Sequence, residues 1–304
     1  MARNRYRRTV ILSLLLFPLL ALAVLWMVGW MLARPAMRTI GPPPPDLPAQ
    51  AVAIRDEAMK PVYGWFVAGE NNGGAVLLLH GVRANRLSMV ERARFLHAAG
   101  YSVLMIDFQA SGESPGKAVT FGYREAADVK AALHYLHRRL PGERVGIIGT
   151  SMGGAATLLA EPQVHVDAVV LEQVYPTIRQ ALDDRLRIYL GSAGPWLAPF
   201  MLATLHAQLG IYPAQLSPIE HIGHWSVPKL LIVGDRDQHT TIAESYAMFQ
   251  AAATPKELWV VHGAEHVDLC HYAGAAYKAK VLAFLNAHLR DDGQPSRHAA
   301  IGGL

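Results

Sequence analysis

Gly149-Thr150-Ser151-Met152-Gly153-Gly154 carries a G-x-S-x-G pattern between two readable elements. Before it, Arg144-Val145-Gly146-Ile147-Ile148 reads as a short buried strand. After it, Ala155-Ala156-Thr157-Leu158-Leu159-Ala160 opens a helix. A strand, a sharp turn bearing a serine and a helix are the setting that a nucleophile elbow requires. A serine hydroxyl is a weak nucleophile unless the backbone presents it to a base and to donors for the developing oxyanion. The strained turn leaves little room for Cβ atoms around the serine, which accounts for the glycines. A Gly-rich loop can match the same short pattern by chance, so the reading rests on the flanking elements.

Moving outward, continuous apolar runs alternate with helical stripes. Ala75 to Leu79, Ser102 to Ile106, Val166 to Leu171, Lys229 to Val233 and Glu257 to Val261 read as further strands, and Ala51 to Arg55 with Val62 to Val67 as an opening pair. Helices are expected over Met89 to Ala99, Tyr123 to Arg138, Ile242 to Ala252 and Ala273 to His288. Strands that are apolar throughout must be covered on both faces, so the pattern predicts a mainly parallel, eight-stranded α/β sheet with helices on both sides. One stretch breaks the alternation. Pro176 to Val227 has no strand-like run and is rich in Leu and aromatics, which reads as a helical cap inserted between two strands.

A serine nucleophile needs a base and a carboxylate to orient it. Two strand ends supply candidates: Gly234-Asp235-Arg236-Asp237 and His262-Gly263-Ala264-Glu265-His266. Ligands gather at such carboxyl ends in open α/β sheets. Asp235, Asp237 and Glu172 all compete for the acid, and His262, His266 and His271 for the base. With His80-Gly81, Asp107 followed by Gly112-Glu113-Ser114, and the serine elbow, the chain resembles a serine hydrolase of the α/β-hydrolase superfamily, in its esterase and prolyl-oligopeptidase-like group. The resemblance runs over roughly 51–289.

That resemblance implies a triad of Ser151, Asp237 and His266. The family's G-x-x-D spacing selects Asp237. The oxyanion hole would be the backbone N–H groups of Met152 and, by position after His80-Gly81, Val82. Asp107 and Ser114 belong to a structural loop, Glu172 lines the pocket floor, and Arg83 forms a surface salt bridge. No metal or organic cofactor is needed. The expected substrate is a small acyl compound, an ester or thioester and conceivably lipid-derived. A serine peptidase and a non-catalytic scaffold on the same fold are the alternatives. His134 and His137 share a helix face but lack a carboxylate set, so they read as solvated, and Cys270 as a small buried residue.

Of the 304 residues, 52% are hydrophobic, and the mean hydropathy is +0.18. The cause is local. Val10 to Ala33 is almost wholly apolar and uncharged, long enough to cross a bilayer and longer than a secretory h-region. Arg3, Arg5, Arg7 and Arg8 precede it; Arg34 and Arg38 follow. The excess before the span places the N-terminus in the cytoplasm and the domain in the periplasm or outside. Cleavage near Ala33 to Ala36 is the alternative. The expected organisation is a basic segment (1–8), a signal anchor (9–33), a Pro-rich linker (34–50) that stands the domain off the membrane, the hydrolase domain (51–290) with its cap (176–227), and a polar tail (291–304). The net charge of +4 equals the four arginines ahead of the span, so the rest of the chain balances to zero and nucleic-acid binding is not expected. Nothing in the sequence sets the oligomeric state.

Overall fold

The computed structural model describes residues 2–55, 59–160 and 165–290, the side chains of 2–5 and 8–15 excepted. The tail expected over 291–304 lies outside the described residues. A long helix, α1 (Ala2–Ala33), leads into a two-residue strand, β1 (Ala36–Met37). The domain then runs β2 (Ala49–Arg55), β3 (Pro61–Val67), β4 (Ala75–Leu79), α2 (Val90–Ala98), β5 (Ser102–Ile106), β6 (Ser111–Gly112), α3 (Glu125–Arg139), β7 (Val145–Thr150), α4 (Met152–Leu159) and β8 (Ala168–Glu172). The cap follows as α5 (Ile178–Leu190), α6 (Ala198–Leu209) and α7 (Pro218–His221). The chain closes with β9 (Lys229–Gly234), α8 (Ile242–Ala251), β10 (Lys256–Val261) and α9 (Leu269–Leu289).

Eight strands form one sheet in the order β10-β9-β8-β7-β4-β5-β3-β2. The six from β10 to β5 are parallel; β3 pairs antiparallel to β5 and β2 antiparallel to β3. Both faces are buried, and the strand period of two divides the side chains between them. Leu77, Leu79, Ile147 and Leu171 pack under α3 and α4. Val76, Leu78, Ile148 and Val170 pack under α2 and α9. That division is why these strands read as unbroken apolar runs. The chain order reverses between β4 and β7, so a crevice forms where their carboxyl ends diverge.

Residues 34–50 do not act as a stand-off. Ala36 pairs with Ser111 and Met37 with Gly112, and the Arg38 amide donates to the Gly112 carbonyl at 2.7 Å. The Ile40 amide donates to Glu113 at 3.0 Å, and Leu47 is buried. Free backbone groups along 36–40 find partners on the loop after Asp107, so this segment is sewn to the domain rather than extended from it. The end of α1 is buried too: Ala33 packs with Leu209, Ile211 and Leu216.

Candidate active site

The turn between β7 and α4 holds Ser151 at φ +50°, ψ −111°, a strained conformation for a residue with a Cβ. Its N–H donates to the Glu172 carbonyl at 2.7 Å, which pins the turn to β8. A Cβ on Gly153 would run into the Leu79 carbonyl, so only glycine lets α4 start this close to β4. Met152 is the first residue of α4, where helical N–H groups lack intrahelical partners. Among the described residues neither its N–H nor that of Val82 donates to the protein, and both residues share a cavity wall with Ser151. His80 shapes the Val82 loop. It accepts from the Phe108 amide at 3.1 Å and contacts the Gly81 carbonyl through Nδ1 at 2.8 Å. Complete burial pushes its pKa down to about 4.

The two acidic candidates separate cleanly. Asp237 is buried and holds His266 Nδ1 at 2.7 Å through Oδ2. Its Oδ1 accepts from the His239 and Thr240 amides at 2.8 and 2.9 Å. Asp235 instead pairs with the exposed His262 at 2.9 Å and accepts from the Gly263 amide. Glu172 does not line the pocket. It is fully buried beneath the elbow, paired with Arg92 at 2.7 Å and bonded to the Tyr277 and Thr150 hydroxyls. No hydrogen bond joins Ser151 to His266 among the described residues; such contacts often tighten only around substrate.

A cavity of about 230 Å³ opens over Ser151. Ile178, Leu182 and Arg185 of α5, Met201 and Leu205 of α6, and Gly29, Leu32 and Ala33 of α1 wall it. Arg83 also borders it and donates to the Met31 and Arg34 carbonyls at 3.5 and 3.4 Å, in place of the expected salt bridge.

The family model for S33-type serine aminopeptidases matches residues 70–201. An uncharacterised protein of Mycobacterium tuberculosis (strain CDC 1551 / Oshkosh) is 30% identical over 210 residues, 67% of this chain and 68% of its own. An uncharacterised protein of Bacillus subtilis (strain 168) is 24% identical over 233 residues, 74% and 75% of the two chains. The Pyrococcus furiosus esterase Pf2001 superposes with a TM-score of 0.69 at 26% identity, over 83% of this chain and 97% of that one. The chain belongs to the α/β-hydrolase superfamily. An esterase from Exiguobacterium antarcticum shares the fold alone, with a TM-score of 0.59 at 17% identity over 78% of this chain and 100% of that one.

This α/β hydrolase carries site residues that sequence reasoning passed over. Gln173, at the end of β8 with φ +50°, donates to Asp237 Oδ2 at 3.0 Å and to the Glu265 carbonyl at 2.7 Å. It thereby ties both loops of the candidate acid and base to the strand beside the elbow. Its only sequence signal is its place after a strand. His239 lies against His266 with ring centroids 5.3 Å apart, and burial lowers its pKa. Arg185 faces the cavity, its pKa lowered by burial, with Asp237 the strongest opposing charge. Asp107 accepts from the Arg86 guanidinium at 2.6 Å and the Glu113 amide at 2.9 Å, a structural knot away from the cavity. Cys270 is buried, its thiol pushed up to about 12 by desolvation, and His137 contacts the His165 carbonyl.

Proposed function

We propose that this α/β hydrolase cleaves a carboxylic ester or thioester through a Ser151–His266–Asp237 acyl-enzyme cycle, anchored by α1 with its domain outside the cytoplasm. The observation that carries the reading is the Asp237–His266 pair. One carboxylate oxygen holds Nδ1, and two backbone amides saturate the other, so the imidazole is fixed with Nε2 free to take a proton. Ser151 Oγ attacks the carbonyl carbon while its proton passes to His266. The negative oxygen that forms accepts from the Met152 and Val82 amides. Collapse of this intermediate expels the alcohol, which takes the proton back from His266. Water then attacks the acyl-enzyme and gives a proton to His266, which passes it to Ser151 Oγ as the acid leaves. Asp237 orients the imidazole and stabilises the imidazolium throughout.

The aminopeptidase description of the matching family favours a peptidase as second reading. An aminopeptidase must hold a free ammonium, and that calls for a carboxylate near the cleaved bond. Among the described residues the cavity wall has no Asp or Glu, while Arg83 and Arg185 border it. The ester reading fits that wall better. The anchor reading rests on Leu16–Ala33, with mean hydropathy 2.2 and 6% of the stretch buried. Ser151→Ala should lower turnover of p-nitrophenyl butyrate by about 10⁴-fold or more and abolish fluorophosphonate labelling. Labelling that survives the substitution overturns the assignment. Failure of the native protein to label at all favours the scaffold.

A further inference from the structure

The cap has a tip that a water-soluble enzyme would not leave bare. From Ile188 to Ile219 the chain contains no Asp, Glu, Lys or Arg. Where α5 turns into α6, Tyr189 is 77% exposed, Trp196 80% and Phe200 55%, with Leu190 and Leu197 exposed beside them. Contiguous exposed apolar surface of this kind marks an interaction face.

The position of α1 indicates what covers it. Leu25 and Val28 of α1 pack on a cluster formed by Leu186 of α5 with Ala198 and Met201 at the start of α6. Farther along, Gly29 meets Thr204 and Gln208, and Ala33 meets Leu209. Contacts advance together on both helices, so the two run in the same direction with their carboxyl ends near the active site. The start of α6 therefore lies level with Leu25, eight residues before the end of α1, or about 12 Å along the axis. A hydrocarbon core of about 30 Å takes up roughly 20 helical residues. Counted from Val10, just past the arginines, it reaches Gly29. Leu25 is then inside the hydrocarbon of the outer leaflet, and the cap tip beside it is at the same depth. Trp30, exposed and one residue past Gly29, sits at the interface level where indoles concentrate. The helices whose facing sides wall the Ser151 cavity, α1 and α6, are the same ones that meet the bilayer.

We propose that the cap tip dips into the outer leaflet and that the Ser151 cavity takes the acyl chain of an ester lipid sideways from the bilayer, on the side that α1 and α6 wall. The partner is the hydrocarbon of the membrane, and the substrate class is a long-chain acyl ester. This rests on the serine-hydrolase and anchor readings above.

The test uses the full chain in phosphatidylcholine–phosphatidylglycerol vesicles. With acyl chains brominated, quenching of tryptophan emission should be smaller in Trp196→Phe than in the native protein. Equal quenching in the two overturns the proposal, and so removes the bilayer as the partner in favour of a second copy or another protein. In the double variant Trp196→Asp/Phe200→Asp, hydrolysis of methylumbelliferyl palmitate embedded in the vesicles should fall about tenfold or more, the scale set by placing charge in hydrocarbon. Hydrolysis of p-nitrophenyl acetate in the surrounding water should stay within about twofold, because neither residue touches the cavity. Unchanged hydrolysis of the embedded ester overturns the proposal. A double variant that loses both activities and its fluorophosphonate labelling has unfolded, and the Trp196→Phe quenching then decides. A native protein that cleaves neither ester defeats the esterase reading, while the quenching still decides where the cap tip lies.

Discussion

Gln173 joins what the chain separates. Its amide reaches Asp237 and the Glu265 carbonyl, so it acts on chemistry by positioning the residues proposed to perform it. Gln173→Ala should lower kcat about tenfold with KM nearly unchanged, the scale of one hydrogen bond to a charged group. Steady-state kinetics on p-nitrophenyl butyrate check this, and an equal rise in KM would contradict it. His80 sets a pH dependence of stability. Its folded pKa of about 4 lies below the ordinary value near 6.5, so the unfolded chain binds more protons between the two. Its contribution is complete above about pH 6.5 and is lost as the pH falls toward 4, a change on the order of 3 kcal/mol. Melting temperatures at pH 7 and pH 4.5 should fall less in His80→Gln than in the native protein. The candidate serine, acid and base were legible as residues because each follows an apolar strand. Gln173, Arg185 and the role of Glu172 were not, since their partners lie far along the chain and polar residues after a strand are common. Glu172 was misplaced for that reason. Its carboxylate turns away from the cavity to Arg92 and Tyr277, contributed by α2 and α9.

Among elements, the contact of α1 with α6 is the least foreseeable from sequence. A Cβ on Gly29 would lie 2.7 Å from Thr204 Oγ1, so the helices approach through a glycine as membrane helices do. Gln208 adds a bond to the Trp26 carbonyl at 2.8 Å. Gly29→Leu should force them apart at a cost of about 1–3 kcal/mol, the usual penalty of overpacking, seen as a lower melting temperature in detergent. Hydrolysis of long-chain esters should suffer more than that of acetate, because the same helices wall the cavity. An unchanged melting temperature would mean that the contact carries no stability. The sheet strands, by contrast, were readable with ends shifted by only a residue or two. Burial on both faces leaves continuous apolar runs that turn residues bound sharply.

At the scale of the whole molecule, α1 and the domain are one structure. A protein beginning at residue 41 loses Ala33, β1 and the bonds made by Arg38 and Ile40, and it uncovers Phe121 and Ile211. It should melt about 5–10 °C below a protein beginning at residue 24 in the same detergent. Equal melting temperatures would restore the picture of a detached linker. By itself, the sequence determined the superfamily, the elbow at Ser151, the Asp and His loops in their order and an apolar span long enough for a bilayer, because each is written in local pattern and spacing. Only the tertiary structure decided that Asp237 rather than Asp235 holds His266, that Glu172 braces the elbow from below, and that α1 closes the wall of the cavity. Those outcomes depend on which distant groups must satisfy one another once buried, and no local pattern records that.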